Sequence, residues 1–286
     1  MELSDWTYLK EVMPRERILI AVKTYPTLSE SHVELACTAG FREDGSWIRL
    51  FPIPFRRLES EQRYKKYQWI EADVAKAKKD KRPESYNIIN TDTIVVQEEL
   101  STERNWEARR RIVLGKNKVH TNLSELIKGA HENEVSLSVF KPSSIDGFKI
   151  EAAPKEWPED KLKRVLEGMK QTSFLDESDD ITEFKIMPKL PYKFSYRFTD
   201  DAGKSSKLMI EDWEVGQLYW SCLKSSANEE EALKKVEQKY MDDFAKTKDL
   251  HLFLGTTYEH HNKKAPNPFV IIGTFHPPIE NQASLF

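Results

Sequence analysis

The stretch from Tyr192 to Thr199 alternates aromatic and polar residues without interruption. Side chains along a β-strand point alternately to opposite faces of the sheet. One face of this strand would therefore carry the aromatic residues Tyr192, Phe194, Tyr196 and Phe198, and the other face Lys193, Ser195, Arg197 and Thr199. The turn sequence Asp200-Asp-Ala-Gly203 follows, and Lys207–Ile210 returns to strand character, which predicts a hairpin in a sheet with one buried face.

The first hundred residues contain several short strand-like runs separated by turn chemistry. Asp44-Gly45, between two of these runs, is a typical hairpin turn. The runs are Arg17–Val22, Val33–Thr38, Trp47–Phe51, Tyr67–Val74 and Ile94–Val96. This spacing predicts a small curled sheet or barrel in the N-terminal part of the chain.

The second half mixes strands with helices of apolar periodicity, so the chain as a whole is predicted to be α+β. We expect a β-rich domain over residues 1–150, an α+β domain over 151–278, and a flexible tail over 279–286 that contains too few residues to form a packed element.

The composition indicates a cytoplasmic protein. Cys37 and Cys222 lie far apart and fit neither a CxxC metal site nor a secreted disulfide scaffold. The first residues do not form a signal peptide, and no apolar run is long enough to cross a bilayer, so we expect no membrane partner. A net charge of -3 argues against a uniformly basic nucleic-acid binder and leaves the decision to local patterning. The oligomeric state is left open.

The last five residues read Gln282-Ala-Ser-Leu-Phe286. This sequence resembles the Gln-x-Ser-Leu-Phe peptide with which many bacterial polymerases and repair proteins bind the replication sliding clamp. The resemblance implies that Leu285 and Phe286 are apolar anchors in a pocket of the clamp, while the Gln282 amide satisfies polar groups there. The alternative is that Leu285 and Phe286 pack on their own core.

Trp47, Arg49 and Phe51 fall on one face of a predicted strand, and bases stack on surfaces of this kind. The alternative places the aromatic residues in the core and pairs the arginine with a carboxylate. Basic residues interleaved with aromatic residues follow downstream, which favours phosphate binding. The candidate nucleic-acid-binding residues are Trp47, Arg49, Arg56, Arg57, Lys65, Lys66 and Trp69.

With its strand pairs and the segment Gly45-Ser-Trp-Ile-Arg49, roughly the first 150 residues resemble bacterial proteins built on OB-like or PUA-like small barrels. That resemblance implies nucleic-acid binding by the N-terminal part of the chain.

A nuclease is the enzymatic alternative, because hydrolysis of DNA needs clustered carboxylates that hold a divalent ion. Glu183-Phe-Lys185 has the Glu-x-Lys form of a common nuclease core, and Glu211 and Asp212 are further candidates. Asp212 is equally explained as a helix cap. We predict no cofactor and no metal ligands, except Mg²⁺ if the nuclease alternative holds. Motifs for NTPases, zinc proteases, serine hydrolases and zinc deaminases are missing from the sequence.

The sequence therefore predicts a DNA-binding protein that is recruited to the sliding clamp and acts in DNA repair or anti-phage defence. A clamp-recruited nuclease is the first alternative. An RNA-binding or protein-interaction module is the second.

Overall fold

The computed structural model of the chain describes residues 15–29, 33–173 and 186–280. Five residues singled out above lie outside these ranges, namely Glu183, Lys185, Gln282, Leu285 and Phe286.

The described residues form two β-sheets and six α-helices. The strands of the N-terminal part are β1 (Arg15–Lys23), β2 (Thr27–Ser29), β3 (Val33–Arg42), β4 (Trp47–Ile53), β5 (Gln68–Lys76), β6 (Ser85–Ile88) and β7 (Val95–Glu99). The later strands are β8 (Val119–His120), β9 (Leu137–Phe140), β10 (Ser144–Ala152), β11 (Tyr192–Thr199), β12 (Ser205–Ile210), β13 (His251–Thr256) and β14 (Phe269–Phe275). The helices are α1 (Glu103–Val113), α2 (Leu123–His131), α3 (Glu159–Ser173), α4 (Trp213–Lys224), α5 (Glu229–Gln238) and α6 (Tyr258–Asn262).

The N-terminal strands close into a five-stranded barrel. Their order is β1-β3-β4-β6-β5, and β5 pairs back onto β1. Alternate residues of each strand fill the interior, among them Ile18, Ile48 and Ile70, which are fully buried. The predicted small barrel is confirmed, and its architecture is consistent with the OB-like expectation.

Glycine is required at position 40, where β3 pairs antiparallel with β1. A Cβ atom at this position would lie 2.1 Å from the Leu19 carbonyl oxygen. The barrel closes tightly here because a residue without a side chain lets the two backbones approach each other.

The second sheet has seven strands in the order β10-β11-β12-β14-β13-β9-β8. The aromatic face of β11 points into the core, where Phe194, Tyr196 and Phe198 are each 1% exposed or less. The residues of α4 and α5 that are buried, such as Val215 and Val236, belong to the same cluster. The predicted α+β class and the hairpin of β11 and β12 are confirmed.

The strands up to β7 belong to the first sheet, and those from β8 onward belong to the second. The strands β8, β9 and β10 all pair within the second sheet, because β9 runs antiparallel to β13 and β10 to β11. The boundary that the sequence predicted, after residue 150, falls inside β10.

The barrel packs directly against the second sheet. Val22 and Phe41 of the barrel form one buried cluster with Val139 and Phe253 of the second sheet. This shared core fixes the outer surface of β3 and β4 against β9 and β13.

Candidate functional site

The predicted stacking face of β4 lies in the contact between the barrel and the second sheet. Trp47 is half-buried, with its ring centroid 4.0 Å from that of Phe41 and 5.4 Å from that of Phe253. Arg49 is 2% exposed and donates hydrogen bonds to Ser85 Oγ at 3.1 Å and Ser136 Oγ at 2.7 Å. Trp47 and Arg49 therefore join the two halves of the chain, and this part of the face is covered.

The other predicted nucleic-acid-binding residues are dispersed. Arg56 and Arg57 belong to a helical turn, where Arg56 Nη1 pairs with Glu34 Oε2 at 2.8 Å. Trp69 is 5% exposed, with the Arg17 guanidinium 4.5 Å above its ring.

Lys65 and Lys66 are neighbours in sequence but differ in environment. The Lys65 side chain is 74% exposed and its ammonium lies 3.6 Å from Glu99, whereas the Lys66 side chain is 12% exposed. Lys66 Nζ donates to Glu214 Oε2 at 2.6 Å and to the Thr274 carbonyl oxygen at 2.9 Å. Lys65 is therefore available to solvent, while Lys66 forms part of a built polar site.

That site lies where the barrel meets α4 and the end of β14. Asp212 is the N-cap of α4 and accepts a hydrogen bond from the Glu214 backbone N–H through Oδ1 at 3.1 Å. Among the described residues, no hydrogen-bond partner reaches the buried Tyr67 Oη, whereas the buried Asp212 carboxyl, whose Oδ2 has no other partner, hydrogen-bonds to the Glu214 carboxylate when it is protonated. We name this group the junction cluster, and it consists of Lys23, Lys66, Tyr67, Asp212 and Glu214.

The two carboxyl groups of the junction cluster titrate far apart. Burial, together with the nearby Glu214 charge, raises the pKa of Asp212 to about 8. Burial also works to raise the pKa of Glu214, but the Lys66 ammonium outweighs it and lowers that pKa below its usual value. A proton shared by the pair therefore resides on Asp212 rather than on Glu214. Such divergent pairs are typical of sites that exchange protons or bind charged ligands.

The cations of the junction cluster respond differently to burial. Burial lowers the pKa of Lys23. For Lys66, burial is the largest single influence and acts in the same direction, but the charges of Glu214, Tyr67 and Asp212 together outweigh it and raise the pKa above its usual value. Burial lowers the pKa of the adjacent His276 to about 4, so this imidazole is neutral at pH 7.

Glu211 precedes the cluster and is half-buried, and burial raises its pKa. Asp212 and Glu214 are brought together, but among the residues that the structure describes no three His, Cys, Asp or Glu side chains are grouped as metal ligands. With Glu183 and Lys185 outside the described ranges, the nuclease alternative stays a prediction.

A second candidate surface is the outer face of β10, β11 and β12. Four exposed cationic residues share it, and we name it the open face, defined by Lys149, Lys193, Arg197 and Lys207. Arg197 lies directly opposite Lys207 in the register of β11 and β12, and Gly147 lies opposite Arg197 on the other side.

Two carboxylates partly neutralise the positive charge of the open face. Glu151 pairs with Lys207 at 3.0 Å, while Asp146 accepts hydrogen bonds from Ser144 and Thr199. The sequence contained the signal for this surface, because the polar face of Tyr192–Thr199 carries Lys193 and Arg197. Its extension across β10 and β12 depends on strand pairing that the sequence alone does not reveal.

The sequence profile of the family described as domain of unknown function DUF8757 matches residues 118–286. The chain belongs to the DUF8757 family. A second profile, domain of unknown function DUF8758, matches residues 14–115. The DUF8757 match begins just ahead of β8 and contains the second sheet with its open face, whereas the DUF8758 match contains the barrel. The junction cluster takes residues from both.

No curated protein matches the chain. Within the described ranges, no helix has the length and apolar character needed to span a bilayer.

Proposed function

We propose that this chain is a nucleic-acid-binding protein that holds its ligand on the open face. The observation that carries the proposal is the placement of Arg197 directly opposite Lys207 on adjacent strands, with Lys149 and Lys193 on the same surface. Like charges directly opposite each other destabilise a sheet. A polyanion would offset that repulsion, because each cation that neutralises a phosphate releases a condensed counterion.

The arrangement favours a backbone-reading mode of binding. The outer positions of β11 are Lys193, Ser195, Arg197 and Thr199, with no aromatic residue among them, so the open face contacts phosphates rather than stacked bases. Binding through phosphates alone is largely independent of base sequence and decreases steeply with salt. We propose DNA as the ligand, because the C-terminal peptide resembles one that attaches proteins to a clamp on DNA.

The clamp-binding role of Gln282, Leu285 and Phe286 is the second part of the proposal. It is supported by the full match of the last five residues to the clamp-binding peptide. Tethering to a clamp would raise the local concentration of the open face near DNA, so modest affinity at each site is sufficient. A role in repair or in anti-phage defence fits such a tethered binder.

The open face is tested with a labelled DNA oligonucleotide and fluorescence anisotropy at low salt. The double variant Arg197→Gln, Lys207→Gln should weaken binding by about tenfold or more, as the loss of two phosphate contacts implies. Lys128→Gln, Lys263→Gln is the matched control, because these lysines, in α2 and just after α6, are 76% and 70% exposed and lie elsewhere. Equal affinities for both double variants would contradict the proposal. The same titration with RNA decides between the two nucleic acids.

The clamp interaction is tested separately by equilibrium binding to purified bacterial sliding clamp. Leu285→Ala, Phe286→Ala should abolish it, while Ile279→Ala, an exposed apolar residue ahead of the motif, should leave it unchanged. Undiminished binding of the double variant would show that the last five residues are not the attachment.

A further inference from the structure

The two outermost strands of the second sheet differ in length. At one end lies β8 with two residues, and at the other end lies β10 with nine. One side of β10 pairs with β11, and among the residues that the structure describes no strand pairs with its other side. A long outer strand leaves a row of backbone N–H and C=O groups with which a further strand can pair. The outer side of β10 is therefore a candidate interaction surface.

The register of β10 and β11 shows which backbone groups face this outer side. Ala153 N–H donates to the Pro191 carbonyl oxygen at 2.8 Å. In an antiparallel pair, residues that bond to the neighbouring strand alternate with residues that do not. Counting back from Ala153, Glu151 and Lys149 bond to β11 as well. The residues between them direct their N–H and C=O groups outward, and we name these the free edge, defined by Phe148, Ile150 and Ala152.

Two features limit the segment of β10 with which another strand can pair. The register shifts between Ile145 and Gly147, which marks a β-bulge, and Pro154 has no N–H to donate. The regular segment between the bulge and the proline runs from 148 to 152, and Ile150 is its centre. A second copy of this segment, antiparallel about a two-fold axis at Ile150, would pair along its whole length without reaching the bulge or the proline.

The charges on the exposed face of β10 select this register. With the axis at Ile150, Lys149 of one copy would lie directly opposite Glu151 of the other, and the pair would occur twice by symmetry. An axis one residue earlier would place Lys149 opposite itself, and an axis one residue later would place Glu151 opposite itself. Opposite charges directly across two strands stabilise their pairing, whereas like charges destabilise it.

The geometry of the free edge brings these charges close together. Because Lys149 and Glu151 bond to β11, they would form non-hydrogen-bonded pairs with the second copy, and side chains are closest in such pairs. Glu151 accepts from Lys207 of its own chain through Oε2 at 3.0 Å, and its side chain is 50% exposed. A carboxylate has acceptor sites for more than one cation, so Glu151 can also accept from Lys149 of a second copy.

The other face of β10 is apolar at the same place. Ile150 is half-buried and packs against the cluster that contains Phe148 and Phe194. Pairing about Ile150 would bring the Ile150 side chains of the two copies together and remove apolar surface from water. Both faces of the segment are therefore complementary to a second copy of themselves.

We propose that two copies of this chain form a dimer through the free edge, antiparallel about Ile150, so that their second sheets become one continuous sheet. The contact is isologous, because the same residues of both copies form it. The donors on Phe148, Ile150 and Ala152 of each copy would bond to acceptors of the other. The open faces of the two copies would then lie side by side and present a cationic surface of twice the size, although the dimer itself does not require nucleic acid.

The proposal is tested by sedimentation velocity of the full chain without nucleic acid. Concentrations from about 1 to 100 μM are suitable, because an interface of this small size associates weakly. A reversible equilibrium between monomer and dimer is expected. A monomer at every concentration would overturn the proposal and leave the free edge to an extended segment of another protein. That outcome would not affect the proposed function, since the binding of nucleic acid is measured separately.

Charge reversal tests the register. Lys149→Glu and Glu151→Lys should each weaken dimerisation by about tenfold or more, because each replaces two attractive contacts with two repulsive ones. The double variant restores the opposite charges and should recover most of the lost affinity. Arg197→Glu is the matched control, since it reverses a charge on the same face one strand away from the free edge, and it should not change dimerisation. Equal dimerisation of the natural chain and both single variants would contradict the assignment.

Two substitutions at Ile150 test the two-fold axis. Ile150→Pro removes a donor that no bond to β11 requires, so it should abolish the dimer and keep the fold, which circular dichroism checks. Ile150→Cys would place two cysteines directly opposite each other, with Cα atoms about 5.5 Å apart, which is within disulfide range. It should form a covalent dimer under mild oxidation, whereas Ser144→Cys should not, because its two copies would lie roughly 40 Å apart.

Non-reducing electrophoresis measures the cross-linking of both cysteine variants. Cys37 and Cys222 are present in each of them and provide the same background. Equal cross-linking at positions 144 and 150, or a dimer that forms without cross-linking at position 150, would show that the copies meet elsewhere and would overturn the proposal. If Ile150→Pro does not fold, the cysteine pair and the charge reversals still decide the question.

Discussion

Strands β4 and β11 both contain aromatic residues and an arginine, but the arginine of β4 is buried and that of β11 is exposed. In β4, Trp47 and Arg49 point to the same side, and that side is covered by the second sheet. In β11, the aromatic residues point to the core, and Arg197 points to solvent on the other side.

The difference shows that the burial of each arginine depends on whether aromatic residues lie on the same face of its strand. The apolar area of Trp47 gains from burial against Phe253, and Arg49 on the same face is buried with it. Its charge is tolerated because Ser85 and Ser136 accept its hydrogen bonds. Arg197 has no aromatic neighbour on its own face and is exposed, as is Lys193, while Ser195 between them is buried.

The largest expected effect is on stability, when each arginine is replaced by methionine. Arg49→Met should lower the free energy of unfolding by about 3 to 5 kcal/mol, because it leaves buried polar partners unsatisfied across the barrel contact. Arg197→Met should change it by less than about 0.5 kcal/mol. Urea unfolding followed by far-ultraviolet circular dichroism measures both.

A loss of similar size in the two methionine variants would contradict the comparison. It would show that Arg197 is as deeply integrated as Arg49. The variant Arg49→Lys tests the geometry further, since a lysine cannot reproduce the forked contact with Ser85 and Ser136.

Individual strands and hairpins of the fold could be predicted from the sequence, but not how all the strands pair. Alternation in Tyr192–Thr199 identified both faces of β11, and turn chemistry at Asp44-Gly45 located the β3–β4 hairpin. The pairing of β9 with β13 could not be predicted, because it joins residues separated by more than a hundred positions. For the same reason the division between the sheets lies earlier in the chain than the pattern suggested.

The candidate sites were less predictable than the fold. Lys66 and Asp212 were each singled out from the sequence, but their meeting at Glu214 depends on how the barrel packs against α4. Glu214 lies close to Asp212 in the sequence, but its place in the first turn of a helix, where acidic residues are favourable anyway, explains it equally well. The stacking face of β4 was read from strand period alone, which does not reveal whether another sheet covers it.

The next prediction compares the stability change on substituting alanine for two glycines, one in the closed barrel and one in β10 beside the open face. Gly40→Ala should destabilise the protein by about 3 kcal/mol, because the new Cβ would meet the Leu19 carbonyl oxygen at 2.1 Å and backbone cannot move aside as a side chain does. At Gly147 the nearest atoms belong to Arg197 at 3.6 Å, an ordinary contact, so alanine should be neutral or stabilise by up to about 1 kcal/mol.

Thermal unfolding of the two alanine variants checks this pair. If Gly40→Ala is tolerated, the barrel is looser at β1 and β3 than its geometry requires. If Gly147→Ala is strongly destabilising, the outer side of β10 is covered rather than open.

Acid pH should reduce the stability of the contact between the barrel and the second sheet more than that of the open face. Burial would raise the pKa of Asp80, but hydrogen bonds from Arg82 and Ser85 outweigh it and lower the pKa to about 2. Because the folded pKa is below the ordinary value, Asp80 stabilises the fold above about pH 4 and loses that contribution as the pH falls toward 2. The stability difference between the natural chain and Asp80→Asn should therefore shrink over this interval.

Asp146 on the open face is the control for this titration. Hydrogen bonds from Ser144 and Thr199 lower its pKa, but the carboxyl is exposed and solvent screens its interactions. Asp146→Asn should therefore change stability little at any pH. Urea unfolding at several pH values measures both variants, and a constant difference for Asp80→Asn from pH 6 to 3 would count against its role in the covered network.

The smallest expected effect concerns single cations of the open face in nucleic-acid binding. Lys149→Gln and Lys193→Gln should each reduce the slope of log affinity against log salt concentration by about 1, because each removes one phosphate contact. Lys65→Gln, an exposed lysine of the barrel, should leave the slope unchanged. Anisotropy titrations between low and physiological salt measure these slopes. A reduced slope for Lys65→Gln with unchanged slopes for Lys149→Gln and Lys193→Gln would place the interface on the barrel instead of on β10 and β11. The contrast between Arg49 and Arg197 would then describe packing alone.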